Sequence, residues 1–301
     1  MNKKTTIIRW VLRVLVAAVF VFSAVSKIVG IDQFELYLFS FGFFPLNFCF
    51  ILARLCIGAE LVLALFTLCG WFPRTMRLVT SGVLLVFTLF LCYAALIGRN
   101  DNCQCFGQMV NLNPMQSMLK NAILLALVLV LYRLTPPKPR MRPCWTVATI
   151  LAAVALLAVP FGLSIPDNWF FGPGQRYNES ALQSAIEPQG ELYAYGVGKD
   201  RRLVAFVTPK CPYCKMARQK LDSILKRHNI PSSKLVYIEP RGIGDVREAK
   251  LIPVQLFSDI TYDSITRTSS RPLVILLDGT KVVATYHLRN IDEDQIANFF
   301  K

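Results

Sequence analysis

The sequence is short of charge. Only 17% of its 301 residues are Asp, Glu, Lys or Arg, against roughly a quarter in ordinary soluble domains. Hydrophobic residues make up 54% and the mean hydropathy is +0.44. That balance excludes a disordered chain and argues against an ordinary soluble enzyme. Acids are scarcest in the first half: residues 1–165 hold four (Asp32, Glu35, Glu60, Asp101) beside 14 Lys and Arg. Residues 166–301 hold 15 acids and 19 bases, a normal soluble balance. Histidine is nearly absent; His228 and His287 are the only two, neither lies near a motif, and both read as surface residues.

The length suggests two domains, and the charge asymmetry says what they are: a membrane part followed by a globular part. Crossing a bilayer takes about 20 apolar residues in a helix. Five segments meet or approach this: Ile7–Val29, Phe44–Cys69, Leu78–Ile97, Met118–Leu134 and Cys144–Ile165. The fourth is short, and Pro160 interrupts the fifth, which predicts a kink or an early end. The first span reads as a retained helix and not as a leader cleaved near Ser23-Ala24-Val25-Ser26, because cleavage leaves an even number of helices and the wrong loop polarity.

The net charge of +14 would point to a polyanion in a soluble protein, but its placement points elsewhere. Ten cations flank one side of the spans: Lys3, Lys4, Arg9, Arg13, Arg74, Arg77, Arg133, Lys138, Arg140 and Arg142. The opposite loops, residues 30–43 and 98–117, hold only Arg99. The positive-inside rule then puts the N-terminus in the cytoplasm and, after five spans, the C-terminal part outside. Trp169, Phe170 and Phe171 suit an interfacial anchor. These signs orient the chain in a bacterial inner membrane; no nucleic acid is expected.

Nine cysteines are present. Cys49, Cys56, Cys69 and Cys92 fall in or beside apolar spans and read as small core residues. Cys144 starts the fifth span on the cytoplasmic side, where thiols stay reduced. The remaining four form two motifs, Cys103-Gln104-Cys105 in an outer loop and Cys211-Pro212-Tyr213-Cys214 in the globular part. The topology places both outside the cytoplasm, where disulfides persist, so two close pairs there point to thiol–disulfide exchange. A zinc site shared by both pairs, or a structural disulfide at the C-x-C, are the alternatives.

Arg202–Thr208 reads as a buried strand, and Met216, Leu221, Ile224 and Leu225 recur at helical spacing after it. The C-x-x-C therefore opens a helix directly behind a strand, where free N–H groups and the positive end of the dipole favour a thiolate. The first cysteine attacks and the second resolves. Lys210 and Lys215 add local positive potential. Further strands are predicted at Leu235–Glu239, Pro272–Asp278 and, after an Asp278-Gly279 turn, Lys281–His287, with a closing helix at Asp292–Phe300.

That order resembles the thioredoxin superfamily over about residues 176–301, and the tetrapeptide is glutaredoxin-like. The resemblance assigns Pro272 as the cis-proline beside Cys211 and Cys214. It also shows departures: Ala205 stands where thioredoxin has a buried acid, no Trp precedes the motif, and residues 240–270 are expected to hold an insertion.

Asn102–Gly107, with its Cys-x-Cys-Phe-Gly, carries a second resemblance. Together with Ser26-Lys27 and Glu60–Leu63, it is similar to the MauE branch of the DoxX-like family over about residues 7–134, a family associated with disulfide formation in exported proteins. Lys27, Arg54 and Glu60 are costly in a membrane and are expected to pair inside the bundle; Glu60 with Arg54 or Lys27 is the expected cluster, either as a packing ion pair or as a proton-handling group.

The expected fold is therefore a multidomain membrane protein: a transmembrane helix bundle of about five spans plus an α/β thioredoxin-like domain. The divisions fall at 1–134 (membrane domain), 135–175 (connector with the fifth helix) and 176–301. The implied activity is a thiol–disulfide oxidoreductase acting on exported client proteins, in which Cys103/Cys105 and Cys211/Cys214 relay electrons. A dedicated maturation factor for one partner is the alternative. The layout is also similar to vitamin K epoxide reductase homologues, which would imply a quinone as the cofactor; apart from that and the redox-active cysteines themselves no cofactor is assigned, and no metal is expected.

Overall fold

The computed structural model describes residues 3–70, 73–99, 110, 112–135, 143–163, 176–208, 211–240, 253–255, 259–267, 269 and 271–301. The chain divides into two compact units, one of residues 1–38 and 47–165, the other of residues 39–46 and 166–301.

The first unit is helical: α1 (Lys3–Val29), α2 (Ile31–Phe39), α3 (Leu46–Cys69), α4 (Pro73–Leu96), α5 (Pro114–Leu134) and α6 (Pro143–Leu163). Among the described residues, α1, α3, α4 from Thr75 and α5 are long and apolar enough to span a bilayer, with mean hydropathies of 1.7–2.2. The described part of α6 is apolar too and runs through Pro160 to Leu163. The fourth span is longer than its apolar run implies because its first turn is polar. Asn113 accepts from the Gln116 N–H at 2.8 Å and Gln116 returns the bond to the Asn113 N–H at 3.1 Å, with Pro114 at the first helical position. This reciprocal cap starts the helix four residues before Met118.

Val16, Ala17 and Phe20 of α1, Leu63 and Ala64 of α3, Leu84 of α4 and Leu124 and Val128 of α5 form one buried cluster. Leu78, Leu85, Val86, Leu89 and Leu119 face outward and are more than half exposed, as lipid-facing positions should be. At α6, the Cβ position of Gly58 lies only 2.9 Å from the Leu157 backbone, so glycine is what lets α3 and α6 approach. The predicted outer loop at 30–43 instead contains α2, most of whose apolar residues, Ile31, Phe34, Leu36, Tyr37 and Phe39, are buried. Its polar residues Asp32, Gln33 and Glu35 hid a helix that is amphipathic only in short stretches.

The second unit carries α7 (Glu179–Ile186), β1 (Arg201–Phe206), α8 (Pro212–Arg227), β2 (Leu235–Glu239), β3 (Pro253–Gln255), α9 (Asp259–Thr266), β4 (Leu273–Asp278), β5 (Lys281–Tyr286) and α10 (Glu293–Phe300). The strands form one mixed sheet ordered β3-β2-β1-β4-β5. β1, β2 and β3 run parallel, and β4 is antiparallel to both β1 and β5. Gly279 takes a positive φ of 59° in the β4–β5 turn, as the Asp-Gly pair demands. The alternation of strand and helix around a central buried strand is the thioredoxin-like arrangement. The core joins Leu182 and Ile186 of α7, Val204 and Phe206 of β1, Val236 and Ile238 of β2, Tyr262 and Ile265 of α9 and Leu273, Ile275 and Leu277 of β4.

The described part of residues 240–270 supplies the edge strand β3, in register with β2 from Tyr237↔Pro253, and the core helix α9; residues 241–252 and 256–258 of the stretch expected to hold an insertion lie outside the described residues. Both histidines are half-buried: His228 Nε2 lies 3.0 Å from Glu293, where the end of α8 meets the start of α10, and His287 Nδ1 accepts from the Arg289 N–H at 3.0 Å.

Candidate redox site

β1 ends at Phe206, and the parallel pairing with β2 carries one step further through Val207 N–H to the Ile238 carbonyl at 2.9 Å. The chain then turns. Cys211 donates its N–H to the Thr208 carbonyl at 3.1 Å and becomes the N-cap of α8, with extended backbone angles (φ −87°, ψ 118°) and Pro212 at the first helical position. Proline costs no hydrogen bond there and presets the helical φ. Cys211 is half-buried, Tyr213 is exposed, and Cys214, one turn in, is fully buried. Cys211 thus stands at the helix N-terminus with its sulfur making no capping hydrogen bond, and the enclosed Cys214 lies behind it. Pro209 and Lys210 lie outside the described residues; Lys215 is exposed.

Pro272 is joined to Arg271 by a cis peptide bond. Because Phe206 pairs with Leu273 across the β1–β4 ladder, Pro272 falls beside Val207, at the same end of the sheet as the cysteines. Arg271 reaches the Thr208 hydroxyl at 3.5 Å and pairs with Asp263 at 3.2 Å. Its guanidinium lies 5.3 Å from the Tyr262 ring centre.

Burial pushes the Cys214 thiol up to about 12, a hydrogen bond from the Thr208 backbone and the positive charge of Arg218 pull the other way, and the Cys211 sulfur adds to the rise. Arg218 sits one turn beyond Cys214 on α8 and is paired with Glu239 at the end of β2. Ala205, on β1, is fully buried and offers no acid. Burial also raises the Tyr262 hydroxyl and the Asp222 carboxyl, which accepts from the Tyr237 hydroxyl at 2.8 Å.

Sequence reasoning missed Thr208, Tyr262, Arg218 and Glu239. Arg218 was findable, since it lies four residues after Cys214 on one helix face. Tyr262 was not, because its approach depends on where α9 packs. Cys103 and Cys105 lie outside the described residues. Among those that are described, no group of three His, Cys, Asp or Glu side chains could hold a metal. Cys49 is buried, Cys56 and Cys69 half-buried and Cys92 exposed.

In the helical unit the three predicted charges separate into two pairs. Lys27 Nζ donates to both Glu60 oxygens at 2.8 and 3.0 Å and to Ser23 Oγ at 2.6 Å, while Ser23 donates to Glu60 at 3.0 Å. Arg54 pairs instead with Glu35 of α2 and donates to the Phe50 carbonyl at 3.0 Å. The first span ends at Val29 as the sequence reading has it. Of the two partners expected for Glu60, Lys27 is the one that pairs, because α2, unforeseen in the sequence, brings Arg54 its own acid, Glu35. Lys27, Glu60 and Ser23 border a cavity also lined by Lys120 and Asn121.

Residues 5–134 match the family described as Methylamine utilisation protein MauE. Protein TlpB of Flavobacterium psychrophilum is 23% identical over 299 residues, an alignment covering 83% of this chain and 80% of that protein. No solved structure matches the chain. The chain is thus a MauE-like membrane part, over residues 5–134, joined to a thioredoxin-like domain.

Proposed function

We propose that the protein is a membrane-embedded thiol–disulfide oxidoreductase whose Cys211–Cys214 pair exchanges with cysteines of exported proteins. One observation carries this reading: a C-x-x-C pair opens a helix behind the central strand, the more accessible cysteine first, with a cis-proline at the adjoining strand end. In the reducing direction the Cys211 thiolate attacks a client disulfide, and one client sulfur leaves with the electron pair and takes a proton. Cys214 then attacks Cys211, releasing the second client thiol and leaving Cys211 and Cys214 joined. The oxidising direction is the reverse.

In the same reading Cys103 and Cys105 exchange with this pair and so refresh it. Both motifs face the non-cytoplasmic side of a bacterial inner membrane, as the cation placement supports. The functional divisions are 1–134 for the membrane domain, 135–175 for the connector and 176–301 for the redox domain. A quinone as electron partner is the variant of this reading; the cavity beside Lys27 and Glu60 itself measures about 30 Å³, room for one or two waters.

The family's description names a protein of methylamine utilisation, which favours a second reading, a maturation factor serving one exported partner. Replacing Cys214 by Ser in cells and isolating what stays disulfide-linked to Cys211 separates the two. Many trapped clients support a general oxidoreductase and a single one supports the dedicated factor. No trapped protein, with exported thiols unchanged in a Cys211→Ser strain, refutes both.

A further inference from the structure

Beside the redox pair lies a pocket that the exchange chemistry does not use. It opens between the second half of α9, the turn after it and the residue before the cis-proline, and it measures about 520 Å³. Its walls are polar: Asp263, Ser264, Thr266, Arg267, Ser269 and Arg271. The sheet sets its place. Phe206 at the end of β1 pairs with Leu273 at the start of β4, so Arg271, just ahead of Pro272, stands at the cysteine end. Its guanidinium is 3.5 Å from the Thr208 hydroxyl, and the Thr208 carbonyl accepts the Cys211 N–H at 3.1 Å. Cys211 and the pocket wall are therefore joined through a single residue.

The lining groups divide into occupied and free. Ser269 donates to the Thr266 carbonyl at 2.9 Å, and Thr266 donates to the Tyr262 carbonyl at 2.9 Å. Asp263 holds Arg271 at 3.2 Å. Arg267 is exposed, and neither its guanidinium nor the Ser264 hydroxyl has a hydrogen-bonding or ionic partner among the described residues. Two guanidinium groups against one carboxylate leave the pocket net positive, and Lys215, exposed on α8, adds the same sign. A free planar fork of N–H groups beside a hydroxyl donor suits a carboxylate. We propose that this pocket is a client subsite: it takes an Asp or Glu side chain lying close to the client cysteine that reacts with Cys211, with Arg267 as the anchoring cation. The inference rests on the oxidoreductase reading and names the clients that reading leaves open, exported proteins whose reactive cysteine is flanked by acids. A cation at such a rim acts on encounter and on the choice between clients, so the subsite governs which disulfide meets Cys211 and leaves the exchange step itself as it is.

The test uses the reduced full-length protein in a non-ionic detergent. Its substrates are disulfide-linked peptides that differ only in the residues on either side of the cysteine, Asp, Asn or Lys, and that carry a fluorophore and a quencher which part on cleavage. The rate in Cys211→Ser protein is subtracted, so that only exchange at Cys211 counts. At low ionic strength the Asp peptide should react about fivefold faster than the Lys peptide, with the Asn peptide between them. In about 1 M salt the three rates should converge. Arg267→Glu should bring the Asp-to-Lys ratio to about one or below. Asp263→Asn, which removes the acid of the pocket, should widen it. Lys281→Glu makes the same charge reversal at the opposite end of the sheet, beside Asp278, and should leave the native ratio in place.

Equal rates for the three peptides in the native protein overturn the inference, because no carboxylate is then read. A ratio that falls as far in Lys281→Glu as in Arg267→Glu overturns it too, because only net charge is then read. Should Arg267→Glu fail to fold, the Asp263→Asn ratio decides: an unchanged ratio there counts against the subsite. Failure of the oxidoreductase reading looks different: the native and Cys211→Ser proteins would cleave every peptide at the same rate.

Discussion

Replacing Lys27 by Met tests whether the first unit depends on its buried ion pair. Lys27 is 2% exposed and Glu60 is 7% exposed. The ammonium makes three short bonds, two to Glu60 and one to Ser23. Without it the carboxylate keeps, among the described residues, a single hydrogen-bond donor, the Ser23 hydroxyl at 3.0 Å, and loses the cation bonded to it, with Lys120 only lining the same cavity. Stranding one partner of a buried pair costs about 3–5 kcal/mol, because the remaining charge has lost its solvation without a counter-charge. For a unit of this size that corresponds to a fall in melting temperature of about 6–20 °C. The measurement is thermal unfolding in detergent, followed by the loss of the monodisperse peak. Removing both charges, Lys27→Met with Glu60→Leu, should recover most of the loss, since apolar residues of similar volume replace buried pairs at little cost. A Lys27→Met protein that melts with the native one, or a double variant whose loss is the sum of the two single losses, would refute the argument: the pair would then be hydrated, or its members independent.

Two further expectations concern the other unit and the fifth helix. Burial raises the Cys214 thiol from 9.0 to about 12, so the stability linked to its proton is complete below 9.0 and is lost as pH climbs through that window. The dithiol should therefore lose up to about 1.4 kcal/mol per pH unit more than the disulfide form, which has no such proton; the buried Tyr237 and Tyr286 hydroxyls, also raised, are common to both forms and cancel, and equal pH slopes for the two would contradict this. Gly58→Val should lower the melting temperature by pushing Leu157, whose backbone is 2.9 Å from the glycine's Cβ position, at a cost of about 1–3 kcal/mol; an unchanged melting temperature would mean that α6 does not pack there.

Much of this architecture can be read from apolar run lengths and from the helix that follows the C-x-x-C, since both signals are local. What escapes is set by tertiary placement. α2 is legible only once Phe34, Leu36, Tyr37 and Phe39 are known to be buried, because Asp32, Gln33 and Glu35 break the apolar run. That miss carried a second one with it: with a loop at 30–43, Lys27 and Arg54 both appeared free to pair with Glu60, and Glu35 was not counted as a partner. Likewise β3 is three residues long, too short to show a strand period, and it becomes a strand only because β2 offers it a parallel edge.

The chemistry of the redox pair shows the same division. Spacing alone singles out Cys211 and Cys214, and counting six residues back from Cys211 along the preceding strand singles out Ala205 as the place where an acid is missing. Of the groups near the buried thiol only Arg218, four residues on along α8, can be read from spacing; Thr208 lies in the turn, Tyr262 on α9 and Arg271 before the cis-proline. A carboxylate on β1 would have been a charge that changes with pH, and the buried Ala205 carries none. The pH dependence of forming the Cys211–Cys214 disulfide should therefore arise from the buried Cys214 thiol, which burial raises, and not from a neighbouring acid. When the reduced full-length protein in detergent is oxidised by an aromatic disulfide over a range of pH, the rate of internal disulfide formation should show a single inflection, and a second inflection would refute this.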